Sequence, residues 1–382
     1  MTPPGEVAAV GLALQGETAG GAAPVEPLRV GIVGGGFMAR VHAGAARAAG
    51  ARVVALASSS ASSAGRAAGV LGVDTAHETV DDLVRDPRVD VVHVCSPNAT
   101  HAPVALAALA AGKHVICEKP LATSAAEATA LVEAAAAGGL VGAVPFVYRY
   151  HPMVREARAR VAAGEAGRVL SVRGSYLQDW LLDSGDVDWR VDSAAGGPSR
   201  AFADIGSHLV DLLEFVIGDR LARLTSTTNR AHDSRGGTPV DTEDEAAVVF
   251  ETLGGAIGTL FVSQVAPGRK NRLLLDVSGT AESLEFSQEE PETLWVGRRS
   301  GARLVPRDAS ILSPDAARLS TVPAGHPMGY VDAFAAFVRD AHDAVRGGAP
   351  EGLPTFADGL RAARVTEAVL DSAAGRTWVD VP

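Results

Sequence analysis

Through its first 150 residues the chain alternates short apolar runs, rich in β-branched side chains, with longer stretches of helical period. The runs are Leu28–Val33, Arg52–Ala57, Asp90–Cys95, His114–Cys117 and Leu140–Phe146. Such runs predict strands buried on both faces, as in a parallel sheet. Between them, Val41, Ala45 and Ala48 mark the stripe of a first helix that ends at Gly50, and further helices are predicted around Ala64–Ala68, Ala102–Ala111 and Ser124–Ala137. Strand and helix in regular alternation predict one doubly wound α/β domain over residues 28–147, a Rossmann arrangement with right-handed crossovers.

The pattern changes after residue 150. A helix opens at His151-Pro152 and runs to about Ala163. Strands are then predicted at Arg168–Tyr176, Ala222–Thr228, Glu245–Glu251, Ala256–Ser263, Leu273–Gly279 and Ser283–Phe286, with Leu253-Gly254-Gly255 as a hairpin turn. Residues 299–328 read as a loop, and helices at Tyr330–Arg346 and Phe356–Ala374 finish the chain. Residues 148–382 therefore form a second α/β domain on a large, open, mostly antiparallel sheet.

Composition narrows the class. The 382 residues are 47% hydrophobic and 21% charged, as in a globular protein, and the net charge of −11 argues against nucleic acid or an anionic membrane as partner. No apolar run is long enough to span a bilayer. The first 27 residues are rich in Gly, Ala and Pro, carry Glu6, Glu17 and Glu26, and lack a basic start. They read as a disordered tail rather than a secretory signal, so a cytoplasmic location is expected. Cys95 and Cys117 read as buried thiols, and no cluster has metal-ligand spacing.

Candidate chemistry lies at the carboxyl ends of the predicted parallel strands, where ligands bind in such sheets. Gly34-x-Gly36-x-x-Ala39 fits a dinucleotide fingerprint: Gly34 permits the tight turn, Gly36 the approach of a pyrophosphate, and Ala39 close packing of helix on strand. Phe37 and Met38 open the helix whose free N–H groups would face the phosphates. Where NAD enzymes commonly carry an acid after the second strand, this chain has Ser58, Ser59 and Ser60. Their hydroxyls suit a 2′-phosphate, with Arg66 as a helper, which favours NADP over NAD; a serine-rich turn is also a good helix cap. Ser96-Pro97-Asn98, His101 and Glu118-Lys119-Pro120 share this edge, and Lys119 can donate to a reacting oxygen. His42, His77 and His93 read as structural. Asp204 and His208, four apart on an amphipathic helix, share a face, where a carboxylate could orient an imidazole and raise its basicity. The aromatic and polar groups of Tyr176, Gln178, Asp179, Trp180, Trp189 and Arg190 suit the faces and hydroxyls of a sugar.

Taken in order, the glycine turn, Ser96-Pro97-Asn98, Glu118-Lys119-Pro120, Tyr148-Arg149, the segment from Gly196-Gly197 to Asp204-Ile-Gly-Ser-His208, and Thr355-Phe-Ala-Asp-Gly359 resemble the Gfo/Idh/MocA family of NAD(P)-dependent oxidoreductases. The resemblance implies a Rossmann domain followed by a sheet domain that often mediates homodimers or homotetramers. It also implies Lys119, Asp204 and His208 as catalytic residues. Asn98, His101 and Glu118 would line the cofactor cleft, with Tyr148 and Arg149 on the substrate side. The expected reaction is hydride transfer between nicotinamide and a secondary hydroxyl of a pyranoside or cyclitol. Two alternatives are a glycoside-cleaving enzyme that works by oxidation and elimination, and a non-catalytic sugar and dinucleotide sensor. Pro198-Ser199-Arg200 departs from the glycine run common in the family.

Overall fold

The computed structural model describes residues 26–382, so all but the end of the expected tail lies outside the described residues. The first sheet is built from β1 (Arg29–Val33), β2 (Arg52–Ala57), β3 (Thr75–Ala76), β4 (Val91–Val94), β5 (His114–Cys117) and β6 (Gly142–Ala143). All pairs are parallel, in the order β3-β2-β1-β4-β5-β6. The order reverses between β1 and β4, which opens a crevice at their carboxyl ends. Its helices are α1 (Phe37–Ala48), α2 (Ala61–Leu71), α3 (Val80–Arg85), α4 (His101–Ala110) and α5 (Ala125–Gly138). The run Leu140–Phe146 gives only the two-residue β6, because Pro145 has no N–H for a ladder and the chain turns away there.

The second half begins with α6 (Pro152–Ala162) and β7 (Val169–Leu177), then α7 (Ser193–Gly196) and α8 (Ser207–Ile217). It continues through β8 (Leu221–Asn229), the short pair β9 (Ser234–Arg235) and β10 (Thr238–Pro239), β11 (Glu245–Thr252), β12 (Ile257–Ser263), β13 (Arg272–Gly279) and β14 (Ser283–Ser287). After these come β15 (Thr293–Arg298), β16 (Gly301–Pro306), α9 (Pro314–Leu319), α10 (Tyr330–Val345), α11 (Phe356–Gly375) and β17 (Val379–Asp380). Among the described residues nine strands form one sheet, in the order β16-β15-β14-β13-β7-β12-β11-β8-β17, in which only β7 and β12 pair in parallel. The stretch expected as a loop contains β16 and α9. An edge strand with most side chains in solvent, as in Gly301–Pro306, carries no alternating apolar signal.

One face of this sheet is the core. Val248, Phe250, Leu260, Val262, Leu273 and Leu275 point inward and pack against Leu209, Leu212, Leu213 and Val216 of α8. The two halves also share material. Phe356 and Leu360 of α11 complete the apolar layer of α4 and α5, while Phe334 and Phe337 of α10 pack with α1 and β1. Among the described residues no helix is long and apolar enough to cross a membrane.

Candidate active site

The glycine turn lies at the crevice. Gly34 has φ +124°, and a Cβ there would stand 2.6 Å from the Cys95 carbonyl oxygen. A side chain is thus excluded by both conformation and contact. A Cβ on Gly36 would meet nothing within 4 Å, so it would only fill the cleft. Gly36 also precedes α1 without a side-chain cap, which leaves the first N–H groups of the helix free for an anion. The cleft has a volume of about 730 Å³ and runs from Ser58 and Ser59 past Gly34–Met38, Ser96, Asn98 and His101 to Glu118 and Lys119, with Trp189 and Arg190 on its far wall. Its length, glycine cradle and uncapped helix fit a dinucleotide.

A second cavity of about 320 Å³ continues from it. Phe37, Met38, Glu118, Lys119 and Arg190 line both spaces, and the second is completed by Tyr148, Tyr176, Gln178, Asp204, His208, Asn271 and Tyr330. Lys119 extends from the end of β5, and its Nζ donates to Asp204 Oδ1 at 2.5 Å and to the Asp204 carbonyl at 3.0 Å. Gln264 Nε2 donates to the other carboxylate oxygen at 2.8 Å. Burial pushes the Asp204 carboxyl up, but Lys119 and Arg190 outweigh it and hold the group at about 2. Asp204 is therefore a carboxylate with both oxygens engaged.

His208 does not pair with Asp204. Residues Phe202–Gly206 form a π-helical turn and the α-helix begins only at Ser207, so the two side chains are not related by a regular helical turn. The imidazole instead packs edge-on against Tyr148 and Phe146, and its Nδ1 is buried without a partner, so Nε2 is the nitrogen left to the cavity. Burial and then the Lys119 charge push His208 down to about 3. The expected gain in basicity from Asp204 is outweighed, first by burial and then by the Lys119 cation.

The aromatic wall is a directed hydrogen-bond ring. Tyr176 donates to Asn271 Oδ1 at 2.8 Å, so Tyr148 supplies the proton shared with Tyr176 at 2.5 Å and accepts from Asn271 Nδ2. Gln178 also donates to Asn271, and Trp180 Nε1 donates to Gln178. Trp180 thus supports the wall without lining the cavity, and Asp179 pairs with Lys270 outside it. Trp189 lines the longer cleft rather than the smaller cavity.

Arg149 and Arg66, like Asp179 and Trp180, are placed elsewhere. Arg149 is buried in an ion pair with Asp211 and Asp358, in a separate pocket beneath α8 and α11. Arg66 is exposed and donates to Ser62 Oγ one turn earlier, away from the cleft lining. Ala39 is fully buried against the sheet, the helix-on-strand packing its place in the fingerprint calls for, and does not line the cleft. Conversely, Asn271, Gln264 and Tyr330 belong to the site without having been singled out. Gln264 had a faint signal, a lone amide directly after an alternating strand; Asn271, in a polar loop, had none. The departure at Pro198-Ser199-Arg200 has a structural use. Ser199 and the Arg200 and Phe202 N–H groups bond to Glu243, and Arg200 and Arg235 share Asp244, which anchors the turn that leads into Asp204.

Comparison with known proteins agrees with this architecture. Residues 28–146 match the oxidoreductase family with an NAD-binding Rossmann fold, and residues 154–285 match the GFO/IDH/MocA C-terminal domain. Levoglucosan dehydrogenase of Pseudarthrobacter phenanthrenivorans is 33% identical over 94% of this chain and 99% of its own. A solved levoglucosan dehydrogenase in complex with NADH and levoglucosan superposes with a TM-score of 0.87 at 32% identity, covering 94% of this chain and 100% of that one. An inositol dehydrogenase homologue from Azotobacter vinelandii, solved with NADH and myo-inositol, gives 0.83 at 30% identity, over 93% and 98% of the two chains. With both halves matched and the glycine turn, Lys119, Asp204 and His208 gathered at one crevice, this chain belongs to the GFO/IDH/MocA family of NAD(P)-dependent oxidoreductases.

Proposed function

We propose that the protein oxidises a secondary hydroxyl of a pyranoside, an anhydrosugar or a cyclitol, or reduces the corresponding ketone, with Lys119, Asp204 and His208 as its catalytic residues. The observation that carries this reading is the continuity of the two spaces: a cleft fit for a dinucleotide opens, at Lys119, into a cavity of monosaccharide size. A nicotinamide dinucleotide, when bound, supplies the acceptor or donor of the hydride. His208, neutral at physiological pH, takes the hydroxyl proton through Nε2. Lys119, held by Asp204, turns its remaining N–H toward the same oxygen and stabilises the charge that develops there. Tyr148, Tyr176, Gln178 and Arg190 then orient the other hydroxyls.

Both NAD and NADP suit the ribose end, where Ser58 and Ser59 offer hydroxyls and no acid follows β2 to repel a 2′-phosphate. NADP remains the favoured choice, although Arg66 gives it no support. The outer face of the nine-stranded sheet presents Val249, Ile257, Phe261, Trp295 and Leu304 to solvent, which supports a homo-oligomer formed through that face. Two unpaired cysteines support a reducing, cytoplasmic setting.

The test is a screen of levoglucosan, other pyranosides and inositols with NAD and NADP separately, following the absorbance of reduced nicotinamide. Oxidation of one substrate class, lost in Lys119→Ala and His208→Ala with dinucleotide binding retained, is expected. Product formation without net change in nicotinamide would instead favour oxidation and elimination.

A further inference from the structure

Glu118 directly follows β5, beside Lys119, and has no part in the scheme above. It borders both cavities, yet it is buried, and each oxygen is engaged from the protein side. Oε1 lies 3.0 Å from His42 Nε2, and Oε2 accepts the Lys119 backbone N–H at 3.0 Å. His42 is fully buried on α1, the helix that opens at the glycine turn, and its Nδ1 lies 3.0 Å from Nδ1 of His93 on β4. Two Nδ1 atoms share a single proton. With the carboxylate accepting from His42 Nε2, placing the shared proton on His93 Nδ1 leaves His93 Nε2 as a lone pair. That nitrogen is buried without a partner, which costs an acceptor less than a donor. The hydrogen bonds thus read in one direction, from His93 to His42 to Glu118.

We propose that His42 is a positioning residue, which holds Glu118 as a carboxylate on the Lys119 backbone and so fixes the strand end from which Lys119 reaches Asp204. The proposal rests on the assignment of Lys119 to the reacting oxygen. It ties the dinucleotide turn to the catalytic lysine through one side chain, because α1 carries both the free N–H groups and His42. Burial alone would push Glu118 up; the His42 hydrogen bond is the largest of the effects that bring it down. The titratable groups close enough to act on this carboxylate are His42 from α1, Cys95 beyond β4, His101 from α4, His208 from α8, Tyr330 from α10, and its neighbours Cys117 and Lys119. Without His42, protonation of Glu118 would leave the Lys119 N–H with a poorer acceptor.

His42→Leu and His42→Gln test this, the glutamine keeping a donor near the position of Nε2. His42→Leu should lower kcat by about 20-fold and move the acid limb of its pH profile upward, with KM for the sugar little changed. Dinucleotide affinity, measured by fluorescence titration, should stay within about threefold. His42→Gln should recover most of kcat. Should the leucine variant not fold, Glu118→Gln decides, with the same loss of kcat expected and binding retained. Wild-type kcat in His42→Leu or in Glu118→Gln overturns the proposal, as does a loss in His42→Leu without a shifted limb or rescue by glutamine. Lys119→Ala separates the two readings. If it is inactive while His42→Leu is unaffected, this proposal alone fails; if it turns over normally, the assignment beneath it fails.

Discussion

The pH dependence of oxidation follows from where His208 sits. Its protonated form is disfavoured by burial and by the Lys119 cation, and the group lies at about 3 instead of the ordinary 6.5. A proton acceptor works only when neutral. At pH 5 a histidine of ordinary pKa is only about 3% neutral, whereas one at about 3 is about 99% neutral. The acid limb of kcat/KM for oxidation should therefore lie below about pH 4, and activity between pH 7 and 5 should change by less than about threefold where an ordinary histidine would lose about 25-fold. Asp204, held at about 2, keeps its charge through the same range and Lys119 keeps its partner. The assay is initial rates at low substrate and saturating dinucleotide across that range, with dinucleotide affinity measured at each pH. His208→Gln, which retains bulk and polarity but takes no proton, should lose about 100-fold or more in kcat at every pH. A tenfold fall in kcat/KM per unit below pH 6.5, absent from His208→Gln, would refute the derivation, because it would show a histidine of ordinary basicity.

Further outcomes are expected from the glycine turn, the displaced arginine and the buried histidines. Gly36→Leu should fold normally, since its Cβ meets no neighbour, while dinucleotide affinity in a fluorescence titration drops at least about tenfold. Arg149→Met should lower stability in urea by about 3 kcal/mol, leaving Asp211 buried without its partner; a raised sugar KM at unchanged stability would return Arg149 to the substrate site. His342 has both ring nitrogens buried without partners and lies at about 4. Its contribution to stability is present above pH 6.5 and is lost as the pH falls toward 4, about 2 kcal/mol of it by pH 5. His342→Leu should therefore flatten the pH dependence of the urea midpoint between pH 7 and 5, and equal losses in variant and parent would contradict this.

Much of the architecture is written in local chemistry. Apolar runs between helical segments specify the parallel sheet, because strands buried on both faces must be apolar throughout. The turn at Gly254-Gly255 specifies the β11–β12 hairpin in the same way. What escapes is whatever depends on which partner a side chain meets. Tyr148 and Arg149 are adjacent, yet the tyrosine lines the smaller cavity and the arginine turns to Asp211. A fourfold spacing places Asp204 and His208 near one another, but a π-helical turn, which no residue pattern announces, sends the carboxylate to Lys119 and Gln264. His42 reads as structural because it lies on a helix away from the strand ends, and only the tertiary fold brings Glu118 within reach.

The packing of α10 and α11 across the Rossmann sheet bears on modular engineering. Phe334 and Phe337 seal the α1 side of that sheet, Phe356 and Leu360 seal the α5 side, and the Ala143–Thr355 bridge stitches the junction. A chimera cut at residue 147 would leave the dinucleotide half with two open apolar walls and the sheet half with two helices facing water. A transplant that exchanges the sugar pocket should instead keep residues 330–363 with the dinucleotide half and replace only the stretch between about 152 and 319. Specificity is exchangeable in this scaffold only as an insert, not as a terminal block.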